Sequence, residues 1–167
     1  MRISVIGHAG SGKSTLAERI SKKLTIPHLH IDRLWLEAGG PQSAHDAASK
    51  ERIRAIVREK VGELVKNDSW ICDGWQSINP DIAKRAYQIV FLDIPLARRL
   101  LNLISRMLFH RRHHEVTFWD DIKFLPEVVH RTRKQDPALR QFARDHADKV
   151  ITLHNYREVE QYFKDLH

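Results

Sequence analysis

The sequence has one cysteine, Cys72, among its 167 residues, and no long apolar segment. A single cysteine excludes an internal disulfide and is typical of a reducing compartment, so we expect a cytoplasmic protein. No apolar run approaches the roughly 18 residues that a membrane span needs, and a predicted strand begins at the second residue. We therefore expect neither a membrane span nor a signal peptide. The guanine-reading sequence N-K-x-D is also missing, which argues against a GTPase.

The composition is that of one globular domain with an uneven charge. Hydrophobic residues make up 42% and charged residues 29%, and the net charge is +7. Between Arg98 and Arg144, eleven Lys and Arg residues stand against five Asp and Glu. Such an excess is typical of a nucleic-acid-binding surface or of arginines that bind phosphate groups, and composition leaves both interpretations open.

The segment GHAGSGKST at 7–15 matches the P-loop pattern G-x-x-x-x-G-K-[ST]. A β-branched run precedes it, and apolar residues at helical spacing follow it, which is the context that the pattern requires. We therefore predict a nucleoside triphosphate site, with Lys13 at the β- and γ-phosphates and Ser14 as a Mg²⁺ ligand. The predicted binding residues are Gly7, Ala9, Gly10, Ser11, Gly12, Lys13, Ser14 and Thr15.

Two acids follow apolar runs and are candidates for the same site. Asp32 ends a predicted strand over 26–32, where it would share a face with His28 and His30 and meet an acceptor hydroxyl or Mg²⁺-bound water. A cap of the next turn or a pair with Arg33 is the alternative role. Asp73 ends the apolar run Trp70-Ile71-Cys72 and is the best candidate for the Mg²⁺ acid, the alternative being an Asp-Gly turn. For the two histidines we expect packing or hydrogen bonding rather than metal ligation.

Strand and helix patterns alternate along the chain. Further strands are predicted at 88–93 and 149–153, and helices at about 47–65, after Pro95, at 119–134, from Asp136-Pro137 onward and after Asn155. The glycine-rich segment 34–41 is expected to be a loop. The predicted fold class is α/β, a three-layer P-loop fold in which a five-stranded parallel sheet carries helices on both faces.

The helix after Pro95 has an apolar stripe, which we expect to pack in the core, and an arginine-bearing face. The stripe comprises Leu100, Leu101, Ile104, Met107 and Leu108, and the other face Arg98, Arg99 and Arg106. Arg111 and Arg112 follow within HRRHH at 110–114, which would suit a phosphate-binding lid, a solvated charged surface or, least well, a zinc site. We interpret the basic segment at about 106–118 as a lid.

Taken together, the motifs resemble the adenylate-kinase-like small P-loop proteins known as DNA topology modulation proteins, which are similar to nucleoside monophosphate and shikimate kinases. The resemblance covers about residues 1–112 and 149–166. The segments that carry it are GHAGSGKST at 7–15, HLHIDRLWL at 28–36, WICDGW at 70–75 and IVFLDIP at 89–95.

This resemblance implies a five-stranded parallel sheet, ATP with Mg²⁺, and transfer of the γ-phosphoryl group to a small acceptor. Asp73-Gly74 matches the Asp-Gly of adenylate kinases, but Trp75-Gln76-Ser77 replaces the Phe-Pro-Arg that follows it there. The substitution removes an acceptor-binding arginine and argues against assigning AMP as the substrate. Arg106 matches a lid-proximal arginine of those kinases, whereas its companion position holds Asn102.

The leading hypothesis is a cytoplasmic kinase that acts on a small nucleotide- or nucleoside-like molecule, formed by one domain over 1–167 with an acceptor-side insertion at about 34–68. Its expected catalytic residues are Lys13, Asp32, Arg106 and Arg111, assisted by one or more of Arg112, Arg131 and Arg133. The expected Mg²⁺ ligands are Ser14 and Asp73. The alternatives are a regulatory ATPase and a DNA-interacting protein that uses the basic 98–144 region.

Overall fold

In a computed structural model the chain forms a parallel sheet with helices on both faces, and residues 1–40, 46–74, 80–109 and 118–166 are described. The strands are β1 (Arg2–Gly7), β2 (His28–His30), β3 (Trp70–Asp73), β4 (Gln88–Leu92) and β5 (Val150–Leu153). The helices are α1 (Lys13–Leu24), α2 (Ile31–Glu37), α3 (Ala47–Leu64), α4 (Pro80–Arg85), α5 (Leu96–Phe109), α6 (Phe118–Asp145) and α7 (Tyr156–Asp165).

The strand order is β2-β3-β1-β4-β5, and every neighbouring pair is parallel. The chain moves from β1 to one side of the sheet and later to the other, so the strand order reverses at β1, which is where open α/β sheets bind ligands. Val5 and His30 both lie in register with Asp73, and Gly7 lies in register with Leu92. The P-loop and the ends of β2, β3 and β4 therefore meet at one edge of the sheet.

Alternation along β1 explains the two helical layers. Ile3 and Val5 face α1 and α7, whereas Ile6 faces α2, α3 and α4 together with Leu139 of α6. The predicted three-layer α/β fold is confirmed. Within the described ranges, no helix is long and apolar enough to cross a membrane.

Two predicted boundaries around β2 were wrong. The strand ends at His30, and residues predicted as strand end and loop form α2 instead. His30 caps this helix, because its Nδ1 accepts a hydrogen bond from the Arg33 N–H at 3.3 Å. Asp32 consequently lies in the first turn of α2 and does not continue the alternation of His28 and His30.

The two helices predicted between 119 and 145 form the single helix α6, which contains both Pro126 and Pro137. Proline removes one backbone hydrogen bond, at a cost of about 3 kcal/mol in a helix interior. Burial of Val128 and Leu139 on either side of the 132–137 segment offsets that cost. Tertiary packing thus overrides the local helix-start signal at Asp136-Pro137.

The predicted core stripe of α5 was wrong in part. Leu101 is 57% exposed and Ile104 36% exposed, while Leu103 is buried together with Arg99. The Arg99 guanidinium is satisfied inside, since its Nε donates to the Ile94 carbonyl at 2.9 Å. The helix therefore turns an arginine inward and two apolar side chains outward, which periodicity alone does not predict.

Gly74 offers a test of this packing. Its φ of +129° is unfavourable for other residues, and a Cβ there would lie 2.8 Å from Ile31 Cβ at the start of α2. We expect Gly74→Ala to lower the free energy of unfolding by about 1–3 kcal/mol. Gly62→Ala is the matched control in α3, where a Cβ meets nothing within 4 Å, and it should raise stability by about 0.5–1 kcal/mol. Urea unfolding of both variants measures this, and equal effects would contradict the prediction.

Candidate active site

The P-loop connects β1 to α1 at the point where the strand order reverses, and its glycines are required by its shape. Gly10 and Gly12 have φ values of +77° and +91°. A Cβ at Gly10 would lie 2.6 Å from the Arg99 carbonyl oxygen, so the start of α5 packs directly against the loop. The remaining predicted binding residues lie in this loop or in the first turn of α1, with Ala9 and Thr15 exposed and Ser11 buried.

Lys13 spans the loop, because its Nζ donates a hydrogen bond to the His8 carbonyl at 3.2 Å. Burial lowers the pKa of Lys13, and the carboxylates of Asp32 and Asp73 oppose that shift. The hydrogen bond to the His8 carbonyl thus places the cation of Lys13 across the loop, a position that suits an anionic group such as phosphate.

Ser14 and Asp73 connect α1 to the neighbouring strand. Ser14 Oγ donates to Asp73 Oδ2 at 2.5 Å, and His28 Nε2 donates to Asp73 Oδ1 at 2.6 Å. Asp73 is 0% exposed. Burial by itself raises the pKa of Asp73, but the hydrogen bonds from His28 and Ser14 outweigh it and leave the pKa below its ordinary value.

The donor chemistry at this point fits Mg²⁺. A hydroxyl and a carboxylate are hard oxygen donors, and Mg²⁺ takes few protein ligands because it keeps waters and phosphate oxygens. Among the described residues, no group of three or more His, Cys, Asp or Glu side chains could hold a metal ion. Ser14 and Asp73 suit an ion whose remaining ligands are waters and phosphate oxygens. Of the two roles predicted for His28, packing or hydrogen bonding, the structure shows a hydrogen bond.

Asp32 and Arg106 belong to the same electrostatic neighbourhood. Both act on Lys13, Asp32 raising its pKa and Arg106 lowering it. Neither alternative role for Asp32 is observed, because His30 caps α2 and Arg33 Nε pairs with Glu37 at 2.9 Å.

The structure describes the other arginines unevenly. Arg111 and Arg112 lie outside the described residues, as does most of the 106–118 segment, and only the backbone of Arg131 is described. Arg133 is exposed on α6. Arg99 is buried and donates to the Ile94 carbonyl, and Arg140 is exposed and pairs with Asp93 and Asp136. The structure therefore gives both arginines partners within the chain.

Sequence reasoning missed several contacts that residues make around the loop. Asn102 Nδ2 donates to the Gly10 carbonyl at 2.8 Å and also contacts the Tyr156 hydroxyl, which joins α5 and α7 to the P-loop. His8 contacts Asp136 of α6. These contacts connect positions 92 and 128 residues apart, and nothing in the local sequence indicates them.

Comparison with known proteins gives two kinds of similarity, although no family model matches the chain. It is 28% identical, over an alignment of 183 positions including gaps, to the adenylate kinase of Ureaplasma parvum serovar 3. The alignment covers 95% of this chain and 82% of that protein. The chain is 29% identical over 127 residues to the adenylate kinase of Ruminiclostridium cellulolyticum, covering 70% of this chain and 56% of that one.

Solved structures show the same fold at low identity. The shikimate kinase of Bacteroides thetaiotaomicron has a TM-score of 0.65 at 17% identity, covering 98% of this chain and 94% of that one. That of Aquifex aeolicus has a TM-score of 0.56 at 23% identity, covering 99% and 92%. Together these similarities support an adenylate-kinase-like P-loop protein and a phosphotransferase with an unspecified acceptor. Neither bears on the DNA topology modulation group.

The buried carboxylate of Asp73 predicts a pH dependence of stability. Its pKa in the folded state lies below the reference value of 3.8, so its contribution is present above pH 3.8 and is lost as pH falls through the folded-state pKa. We expect the difference in unfolding free energy between wild type and Asp73→Asn to shrink between about pH 5 and pH 2. Chemical unfolding across that range measures it, with Asp148→Asn as the control for loss of an exposed carboxylate. A difference that stays constant over the range would contradict the assignment.

Proposed function

We propose that this protein is an ATP-dependent kinase that transfers the γ-phosphoryl group of Mg-ATP to a small nucleotide- or nucleoside-like acceptor. The observation that carries the proposal is the 2.5 Å hydrogen bond from Ser14 to the buried Asp73, directly beside Lys13 in the P-loop. The similarity to adenylate kinases and the shikimate kinase fold support the same reaction class.

Each residue has a role that its position allows. The loop N–H groups and Lys13 bind the β- and γ-phosphates, and Ser14 and Asp73 hold Mg²⁺. Mg²⁺ would neutralise charge on those phosphates. Asp32, close enough to act on Lys13, orients or deprotonates the acceptor hydroxyl. Arg106 stabilises charge on the moving phosphoryl group, and Arg111 is proposed to act with it.

The proposal also divides the chain by task within a single domain over 1–167. Residues at about 34–68 form the acceptor side, because α2 carries Asp32 and leads toward α3. The segment at about 106–118, which begins at Arg106 in the last turn of α5 and continues beyond the described residues, is proposed as the lid. A regulatory ATPase would use the same loop, so acceptor dependence is the property that separates the two activities.

Lys13 is tested most directly by removing its charge. We expect Lys13→Ala to weaken Mg-ATP binding by on the order of 100-fold, because no other loop side chain supplies a cation to the phosphates. Lys22→Ala is the control on the same helix, where Lys22 pairs with Glu18 at the surface. Isothermal titration calorimetry compares both with wild type. Unchanged affinity in the Lys13 variant would remove the basis of the P-loop assignment.

Asp32 separates binding from transfer. We expect Asp32→Asn to keep Mg-ATP affinity within about threefold and to lower transfer by about 10²–10⁴-fold, the usual contribution of a general base. The assay is acceptor-dependent ADP formation in a screen of nucleosides, nucleotides and small hydroxy acids. Asp148→Asn is the control. Asp148 precedes β5, and β5 and β2 are the outermost strands on opposite sides of the sheet, so Asp148 lies far from Asp32.

The same screen tests the function as a whole. ADP release that depends on one acceptor class supports the kinase, whereas release at the same rate without any acceptor indicates an ATPase. Full transfer by the Asp32 variant would leave Asp32 without a catalytic role.

A further inference from the structure

His8 is a P-loop residue, at a position of the motif that accepts any amino acid. It is 6% exposed, and its Nε2 lies 3.0 Å from Asp136 Oδ1 on α6. The carbonyl of the same residue accepts hydrogen bonds from Lys13 Nζ and from the Ser11 N–H, both at 3.2 Å. His8 is therefore the residue through which a distant helix contacts the part of the loop that orients Lys13.

Asp136 is itself held on both sides. Its Oδ2 accepts from Arg140 Nε at 2.7 Å, and Arg140 donates two further hydrogen bonds, of 3.0 and 2.9 Å, to Asp93 just after β4. One turn earlier on α6, Thr132 Oγ1 accepts from the buried Arg99 at 3.1 Å.

Thr132, Asp136 and Arg140 follow one another at intervals of four residues, so they form a single polar stripe along α6. The three members contact three different elements around the phosphate site, namely the first turns of α5, the P-loop and the end of β4. The buried Leu139 of the same helix packs in the core beside the sheet, so the polar stripe is a separate part of α6, whose Asp136 contacts the P-loop.

The charges around His8 determine the direction of its hydrogen bond. Asp136 faces it from α6, Arg99 from α5 and Lys13 from α1. Burial lowers the pKa of His8, and both cations lower it further, while Asp136 acts in the opposite direction. Burial by itself raises the pKa of Asp136, but hydrogen bonds from Arg140 and His8 leave it lowered. An ionised carboxylate only accepts, so His8 donates through Nε2–H.

We propose that Asp136 is a positioning residue for the P-loop, acting through His8, so that α6 sets the loop conformation that binds nucleotide. The proposal rests on the proposed function for its nucleotide part. It goes beyond that function by assigning a role to a residue that touches neither phosphate nor metal site.

The test compares wild type with Asp136→Ala, His8→Ala and the double variant, and uses Asp145→Ala as the control at an exposed aspartate of the same helix. Three quantities are measured: amide hydrogen exchange at residues 9–13 without nucleotide, the pKa of the His8 imidazole by NMR, and the dissociation constant for Mg-ATP. The second readout responds to the Asp136 carboxylate itself, which a merely structural contribution to the helix would not affect.

We expect Asp136→Ala to speed exchange of the loop amides about tenfold, to lower the pKa of His8, and to weaken Mg-ATP binding about tenfold, as for loss of a hydrogen bond to a charged group. The double variant should bind no more weakly than His8→Ala, because a residue that acts only through His8 has no effect once His8 is gone. The Asp145 variant should match wild type in all three.

Unchanged loop exchange in Asp136→Ala, or effects of Asp136→Ala and His8→Ala that multiply in the double variant, would overturn the proposal. If Asp136→Ala does not fold, Asp136→Asn replaces it, because an uncharged amide has an oxygen at only one of the two positions that accept from His8 and Arg140. The loss of charge should then lower the pKa of His8, and an unchanged pKa of His8 together with unchanged loop exchange would overturn the proposal. Failure of the wild type to bind Mg-ATP would overturn the proposed function, whereas the exchange and NMR measurements would still decide the role of Asp136.

Discussion

The hydrogen bond between Ser14 and Asp73, 2.5 Å long, joins the first turn of α1 to the end of β3, and the rest of the site is built around it. It exists because β1 and β3 are parallel neighbours, so the loop that leaves β1 and the acid that ends β3 emerge at the same edge. Burial of Asp73 makes an uncompensated charge there costly. His28 and Ser14 compensate it, which ties β2 and α1 to the same carboxylate.

Around this centre, helices from both halves of the chain contact the P-loop. Asn102 of α5 holds the Gly10 carbonyl and the Tyr156 hydroxyl of α7, and Asp136 of α6 holds His8. Close packing leaves no room for a side chain at Gly10, where a Cβ would meet the α5 backbone. The conformation of the loop is therefore set by its neighbours as well as by its own glycines.

The structure explains part of the excess of positive charge in the second half of the chain. Arg99 is 3% exposed and donates to Ile94 and Thr132, and Arg140 joins Asp93 to Asp136. Both residues contribute to the charge excess that composition alone connects equally with nucleic acids and with phosphate binding. Their contacts lie at the rim of the P-loop, and Arg106 acts electrostatically on Lys13 from the same helix as Arg99.

Local sequence determined the elements whose signals are local: the strand, loop and helix around GHAGSGKST, the buried strand that ends in Asp73, and the parallel α/β order. The sequence did not predict α2, because the cap of that helix is the His30 side chain. The sequence also predicted two helices where α6 is one, because the burial of Val128 and Leu139 in the folded protein keeps that helix continuous. Only the tertiary structure decided that Arg99 turns inward, that His28 holds Asp73, and that Asp136 contacts His8 across 128 positions. The reason is physical: periodicity reports which face of an element is apolar, whereas a hydrogen bond between distant elements depends on how the sheet and helices pack together.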